Sequence, residues 1–158
     1  LLKGRANYVC LHHLEESSAG GTFASREEAR DIHAIARFAG RTDSGDKAEC
    51  LQVPEFSGAW ARATSTRENC LGADCPKFEE CFVLAARREA QAADIVVVNH
   101  YLLMADLVLK EEGFGDLLPG ADAIVIDEAH QLPDVAAQFL VVKTIDAQGE
   151  RQQQKDEQ

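Results

Sequence analysis

The sequence predicts an α/β fold in which a mainly helical, cysteine-bearing stretch is joined to part of a parallel sheet. Three observations predict it. Ile95-Val96-Val97-Val98 and Ala123-Ile124-Val125-Ile126 have the unbroken, β-branched texture of strands covered on both faces. An apolar, helix-like segment from Leu102 to Leu109 lies between them and ends before Gly113 and Gly115; strand, helix, strand with a long connection is a parallel crossover. Ahead of both runs, up to Cys81, the pattern is helical and carries all five cysteines, Cys10, Cys50, Cys70, Cys75 and Cys81.

Taken in order, residues 25–39 read as a helix. Ser25 and Glu28 form a capping box, Ile32, Ile35, Ala36 and Ala39 share one face, and Gly40 sits at the stop position. Arg26, Arg30, His33, Arg37 and Arg41 recur at helical spacing on another face. That basic stripe reads either as a solvated face balanced by Glu27, Glu28 and Asp31, the favoured reading, or as a DNA-contacting one. Residues 41–53 are polar and turn-rich and read as a surface loop. Pro54 is expected to open a short helix with Phe56 and Trp60 on one side. Trp60 suits base stacking, but a lone Trp beside a Phe in a small domain reads first as core. Phe78 to Ala93 is again helical, and the polar, Gln-rich tail beyond Val142 is expected to fray.

With 158 residues, 46% of them apolar, the chain can bury a core, which excludes wholesale disorder. The apolar runs are far short of the roughly 20 residues that cross a bilayer, so no membrane span is expected. The N-terminus lacks an initiating Met and a signal peptide, which predicts a piece of a larger, cytoplasmic protein. The net charge of −11 argues against a nucleic-acid partner, but it is unevenly spread: residues 1–45 are neutral, 46–89 carry −2 and 90–158 carry −9. The first half is therefore free to present basic faces.

In a reducing compartment clustered cysteines more often bind metal than form disulfides. Cys70, Cys75 and Cys81 fall within one short stretch, so short loops bring three thiols together at low entropic cost. A fourth ligand must come from afar, either Cys10 or Cys50. Structural zinc usually draws on C-x2-4-C pairs. Spacings of four and five with one remote partner suit a cubane iron–sulfur cluster better. Zinc and unconnected buried cysteines remain the alternatives.

Asp127-Glu128-Ala129-His130 directly follows the second apolar run. In P-loop ATPases an acid at the C-terminal end of such a strand holds the Mg²⁺ that bridges the phosphates, and an adjacent carboxylate can orient the attacking water. The partner motif G-x-x-x-x-G-K-[ST] is absent: Ser44-Gly45-Asp46-Lys47 has the wrong spacing and no following Ser or Thr. The phosphate loop is expected upstream of Leu1, and this piece alone is expected to be inactive in ATP hydrolysis.

Together these residues resemble the DinG/XPD family of superfamily 2 helicases, most closely its bacterial DinG/YoaA branch. Lys3-Gly4-Arg5-Ala6-Asn7-Tyr8-Val9-Cys10 is similar to the family's KGRxNYxC, and Cys70, Cys75 and Cys81 match its remaining three cysteines. Residues 93–103 resemble its ADIVVVNHxLL segment, and Asp127 to His130 its Walker B box. The resemblance implies a mainly helical iron–sulfur domain inserted in part of a parallel-sheet, RecA-like motor domain. Residues 1–9 would end a preceding motor segment, 10–82 form the cluster domain, 83–142 belong to the motor domain and 143–158 form a linker or tail. It implies a [4Fe–4S] cluster on Cys10, Cys70, Cys75 and Cys81, with Cys50 spare. Asp127 would serve Mg²⁺, Glu128 would activate water for ATP hydrolysis, and His130 would couple the nucleotide site to strand movement. The implied partners are single-stranded DNA, DNA junctions and the rest of the helicase, with Arg5, Arg30 and Arg37 as candidate phosphate contacts. Two other readings compete: a non-enzymatic metal-binding interaction domain, holding zinc or an iron–sulfur cluster, and a related nucleic-acid ATPase that does not unwind.

Overall fold

A computed structural model describes residues 1–111, 113 and 117–139. It divides into two units, residues 1–96 and 97–158. The expectations for Gly115 and for the tail beyond Val142 lie outside the described residues.

In the first unit, α1 (Leu11–Ala19), α2 (Arg26–Ala39) and α3 (Ala59–Ala63) pack on one another. Helix α2 begins as its sequence dictates. The Ser25 hydroxyl accepts from the Glu28 N–H at 3.0 Å, while the Glu28 carboxylate reaches back one residue further than expected, to the Ala24 N–H at 2.6 Å. Its apolar stripe places Ile32 and Ile35 at zero exposure, against Val9, Leu14, Val53, Ala59, Trp60 and Ala63. Fully burying two such side chains stabilises the unit by roughly 3–6 kcal/mol. Helix α1 was not anticipated; Leu14 is its one fully buried residue, so it shows little apolar period.

The segment after Pro54 differs from expectation. Residues 54–58 form turns, with Ser57 N–H donating to the Pro54 carbonyl at 3.0 Å, and the helix starts only at Ala59. Phe56 is therefore 92% exposed while Trp60 is 5% exposed, and the two do not share a side. Trp60 is core, and its indole N–H donates to the Pro54 carbonyl at 3.0 Å. The 41–53 loop does more than cover the surface. Asp46 caps a short 3-10 turn, Lys47–Glu49, and the loop buries Cys50 and Val53. The basic stripe of α2 is solvent-exposed throughout, and Arg30 pairs with Glu27 and Asp31.

Helix α4 (Phe82–Ala92) starts four residues later than expected, because residues 75–81 turn twice: Phe78 N–H bonds to the Cys75 carbonyl and Cys81 N–H to that of Phe78. In the second unit α5 (His100–Glu111) forms over the predicted helical segment. Asn99 caps its start by accepting from the Leu102 N–H at 2.8 Å. Residues 132–139 are also helical.

The two expected strands are not formed. Among the described residues the β-pairing is one isolated antiparallel bridge, Tyr8 with Asp46. Residues 95–98 and 123–126 run without ladder partners, and Ile95, Val97, Ile124, Val125 and Ile126 are exposed. A parallel ladder needs neighbouring strands, and a four-residue run without one satisfies its backbone with water. No described helix is long and apolar enough to cross a membrane.

Candidate metal centre and acidic loop

Cys10 stands at the junction between the bridge strand and α1. Its N–H donates to the Ala63 carbonyl at 2.7 Å, and its carbonyl accepts from Leu14, so both ends are fixed by the helical core. Immediately before it, Val9 N–H donates to the Gly45 carbonyl at 2.9 Å, and Lys3 pairs with Asp46. Gly45 has φ +65°, and a Cβ there would stand 2.2 Å from Phe82 Cγ. The Ser44–Lys47 stretch is thus a close packing point beside Cys10 and α4, which requires glycine for steric reasons.

The remaining three cysteines follow on irregular backbone. Asn69 steadies its start, its side chain accepting from Thr66 N–H at 2.7 Å and its carbonyl accepting from His13 Nε2 at 3.2 Å. Gly72 N–H points at Cys70 Sγ at 3.5 Å. Cys81 caps α4, and Lys77 pairs with Glu15 of α1 at 3.2 Å.

Cys10, Cys70, Cys75 and Cys81 line one cavity, together with Arg5, His12, His13 and Val83. Burial pushes the Cys10 thiol up; the backbone N–H groups of His13 and His12 pull it down, and the nearby Cys75 and Cys81 sulfurs push it up again. Cys50 lines no part of this cavity and is buried in the helical core. All four cysteines share the wall of this one cavity. Four sulfurs on one tetrahedral zinc would stand roughly 3.8 Å apart. Among the described residues, no three His, Cys, Asp or Glu side chains are placed to hold a single ion. An all-thiol donor set spread around a cavity fits a multi-iron cluster, in which each sulfur binds a different iron.

Arg5 faces this cavity, whereas Arg30 and Arg37 are on the exposed face of α2 and do not line it. Arg87, which sequence reasoning passed over, is half-buried on α4. Burial and the Arg5 guanidinium lower its proton affinity, and the Cys70 and Cys81 thiols oppose them.

In the second unit Asp127 and Glu128 lie on an exposed bend that runs into a short 3-10 turn, Ala129–Gln131, which carries the exposed His130. Asp127 Oδ1 accepts from the Glu128 N–H at 2.9 Å, and Glu128 Oε2 lies 3.3 Å from His130 Nδ1. Glu128 has φ +48°, a left-handed conformation that costs a non-glycine residue about 1–2 kcal/mol. His100 Nε2 donates to the Asp127 carbonyl at 2.9 Å. The loop thus presents two adjacent carboxylates to solvent, a hard-oxygen donor pair suited to Mg²⁺.

No family model matches the chain. It is 49% identical over 140 residues to the ATP-dependent DNA helicase YoaA of Escherichia coli, an alignment covering 89% of the chain and 22% of that protein. It is 47% identical over 140 residues to the YoaA of Haemophilus influenzae, with the same two shares. It is 35% identical over 163 residues to the ATP-dependent helicase DinG of Mycobacterium tuberculosis, covering 92% of the chain and 24% of that helicase. The chain thus spans about a fifth to a quarter of the length of these relatives.

Proposed function

Because this chain belongs to the YoaA/DinG family of ATP-dependent DNA helicases, we propose that it is the segment of a 5′→3′ DNA helicase that carries the iron–sulfur domain and the Walker B acids. The observation that carries the reading is the single cavity lined by Cys10, Cys70, Cys75 and Cys81. Its four sulfurs would hold a [4Fe–4S] cluster, which when bound supplies a rigid cross-link between α1 and the loop sixty residues further on. Residues 10–82 then form a stiff wedge where a DNA duplex parts, at junctions and beside single-stranded DNA. The solvent exposure of Arg30 and Arg37 on α2 supports phosphate contact by that face.

Residues 83–142 would belong to a RecA-like motor domain, with the two β-branched runs completing a parallel sheet. There Asp127 would hold Mg²⁺, Glu128 would orient the attacking water, and His130 would relay the nucleotide state to DNA movement. The exposure of both carboxylates and the 2.9 Å bond from Glu128 N–H to Asp127 Oδ1, which orients the first of them, support this reading.

The full-length protein, purified without oxygen, should be brown, contain iron and unwind DNA with ATP. Cys75→Ser should remove the iron. Glu128→Gln should keep iron and nucleotide binding and lose turnover. A colourless protein holding one zinc per chain, or unchanged turnover in the Glu128 variant, would refute the assignment.

A further inference from the structure

Arg87 is neither a cysteine ligand nor one of the Walker B acids. Helix α4 turns one side inward: Val83 and Ala90 are buried, and Arg87, half-buried, lies between them on the same face. Val83 lines the cysteine cavity, and Arg87 follows it one turn further along the same face of α4. Its charged surroundings are Arg5, Cys70 and Cys81. Arg5 reaches the same cavity from the segment before Cys10.

Two guanidiniums so close repel, and both stay protonated in a protein. Among the described residues neither has a carboxylate partner. An unpaired, partly desolvated cation is unfavourable, and a second one beside it more so. The anionic groups at hand are the Cys70 and Cys81 sulfurs beside Arg87 and the exposed Glu68 carboxylate towards Arg5. Four thiolates around an iron–sulfur core leave a net negative charge, which grows by one when the core accepts an electron.

We propose that Arg87, acting with Arg5, is a charge-compensating positioning residue for the thiolate cluster, holding Cys70 and Cys81 and favouring the reduced state. This rests on the iron–sulfur reading above. Either guanidinium offsets charge that is larger after one-electron reduction, so removing one penalises the reduced form more than the oxidised form.

The test is a dye-mediated redox titration of the iron-loaded full-length protein without DNA, followed by absorbance and by the electron paramagnetic resonance of the reduced form. Arg87→Gln should shift the reduction equilibrium about tenfold towards the oxidised state, a midpoint ~59 mV lower for one electron. It should also release iron to a chelator faster. Arg87→Lys, which keeps the charge, should stay near wild type. An Arg87→Gln protein with wild-type midpoint and iron release overturns the proposal, and so does one whose only defect is weaker DNA binding. If the Gln variant retains no iron, Arg87→Lys decides: iron retained supports a charge role, and iron lost equally overturns it. Wild-type protein that binds no iron would instead sink the iron–sulfur reading itself.

Discussion

His100 donates from Nε2 to the carbonyl oxygen of Asp127 at 2.9 Å, tying the first turn of α5 to the first of the two adjacent acids. Asn99, its neighbour, caps the same helix. The two residues before Tyr101 therefore do separate jobs: one starts the helix, and the other anchors the acidic loop to it. A backbone carbonyl so held fixes the peptide from which both carboxylates project.

Removing that bond should loosen the loop without removing either acid. A hydrogen bond of this kind contributes about 1 kcal/mol, so His100→Ala should lower ATP turnover of the full-length protein by roughly fivefold. His100→Gln, whose amide can still donate, should recover part of the loss. Steady-state hydrolysis beside a melting curve checks this. Equal turnover in wild type and His100→Ala would show that the tie has no bearing on the acids.

Gly45 offers a sharper structural test. Its φ of +65° disfavours any side chain, and a Cβ would overlap the ring of Phe82, the first residue of α4. Gly45→Ala should cost about 2–4 kcal/mol from backbone strain and overpacking together. The loop also accepts the Val9 N–H beside Cys10, so iron retention should fall with stability. Chemical denaturation and iron analysis measure both, and wild-type stability in the variant would mean the loop can move away at no cost.

Cys50 and the cavity cysteines should part company in their response to substitution. Cys50 is a core residue outside the lining of the cysteine cavity, so Cys50→Ser should keep the brown colour that Cys75→Ser loses. Burial pushes its thiol up, with the Gln52 and Val53 N–H groups and Arg41 opposing and Asp31 assisting. A group whose folded pKa is raised favours folding while it is protonated, below its unfolded value near 9.0. That contribution is lost as pH rises through the folded value. Stability should therefore fall above about pH 9, and Cys50→Ala should flatten part of that alkaline limb. An alkaline limb of identical slope in the variant would assign the loss to other groups.

Much of this architecture was legible in the chain itself, and the exceptions have physical causes. Helix α2 announced itself because Ser25, Glu28, the Ile32–Ile35 stripe and Gly40 all agree. Helix α1 was silent, since Leu14 is its one buried residue and its remaining contacts come from half-exposed side chains and the Cys10 backbone. Phe56 and Trp60 misled because periodicity assumes a helix, and Pro54 starts a turn there instead. At the cysteine cavity the spacings pointed to Cys70, Cys75 and Cys81, which short loops bring together, whereas the choice of Cys10 over Cys50 came only from the family resemblance. Arg87 and His100 could not be read the same way, because their significance is a tertiary neighbour, and spacing along the chain carries no trace of it.

The two β-branched runs supply the last prediction. Ile95 is 83% exposed and Val125 95%, although both sit in sequences suited to two-sided burial. Covering each such side chain would stabilise the protein by roughly 1.5–3 kcal/mol, so the longer protein has a strong incentive in free energy to pair them with further strands. The sheet proposed for residues 83–142 requires that pairing. Backbone amides of 95–98 and 124–126 should then exchange with deuterium about a hundredfold more slowly in the full-length protein than in the isolated chain. The amides of α2, capped and packed within the first unit, should change little between the two and serve as the internal reference. Fast exchange of both runs in the full-length protein would leave them without ladder partners and remove the parallel sheet from the motor assignment.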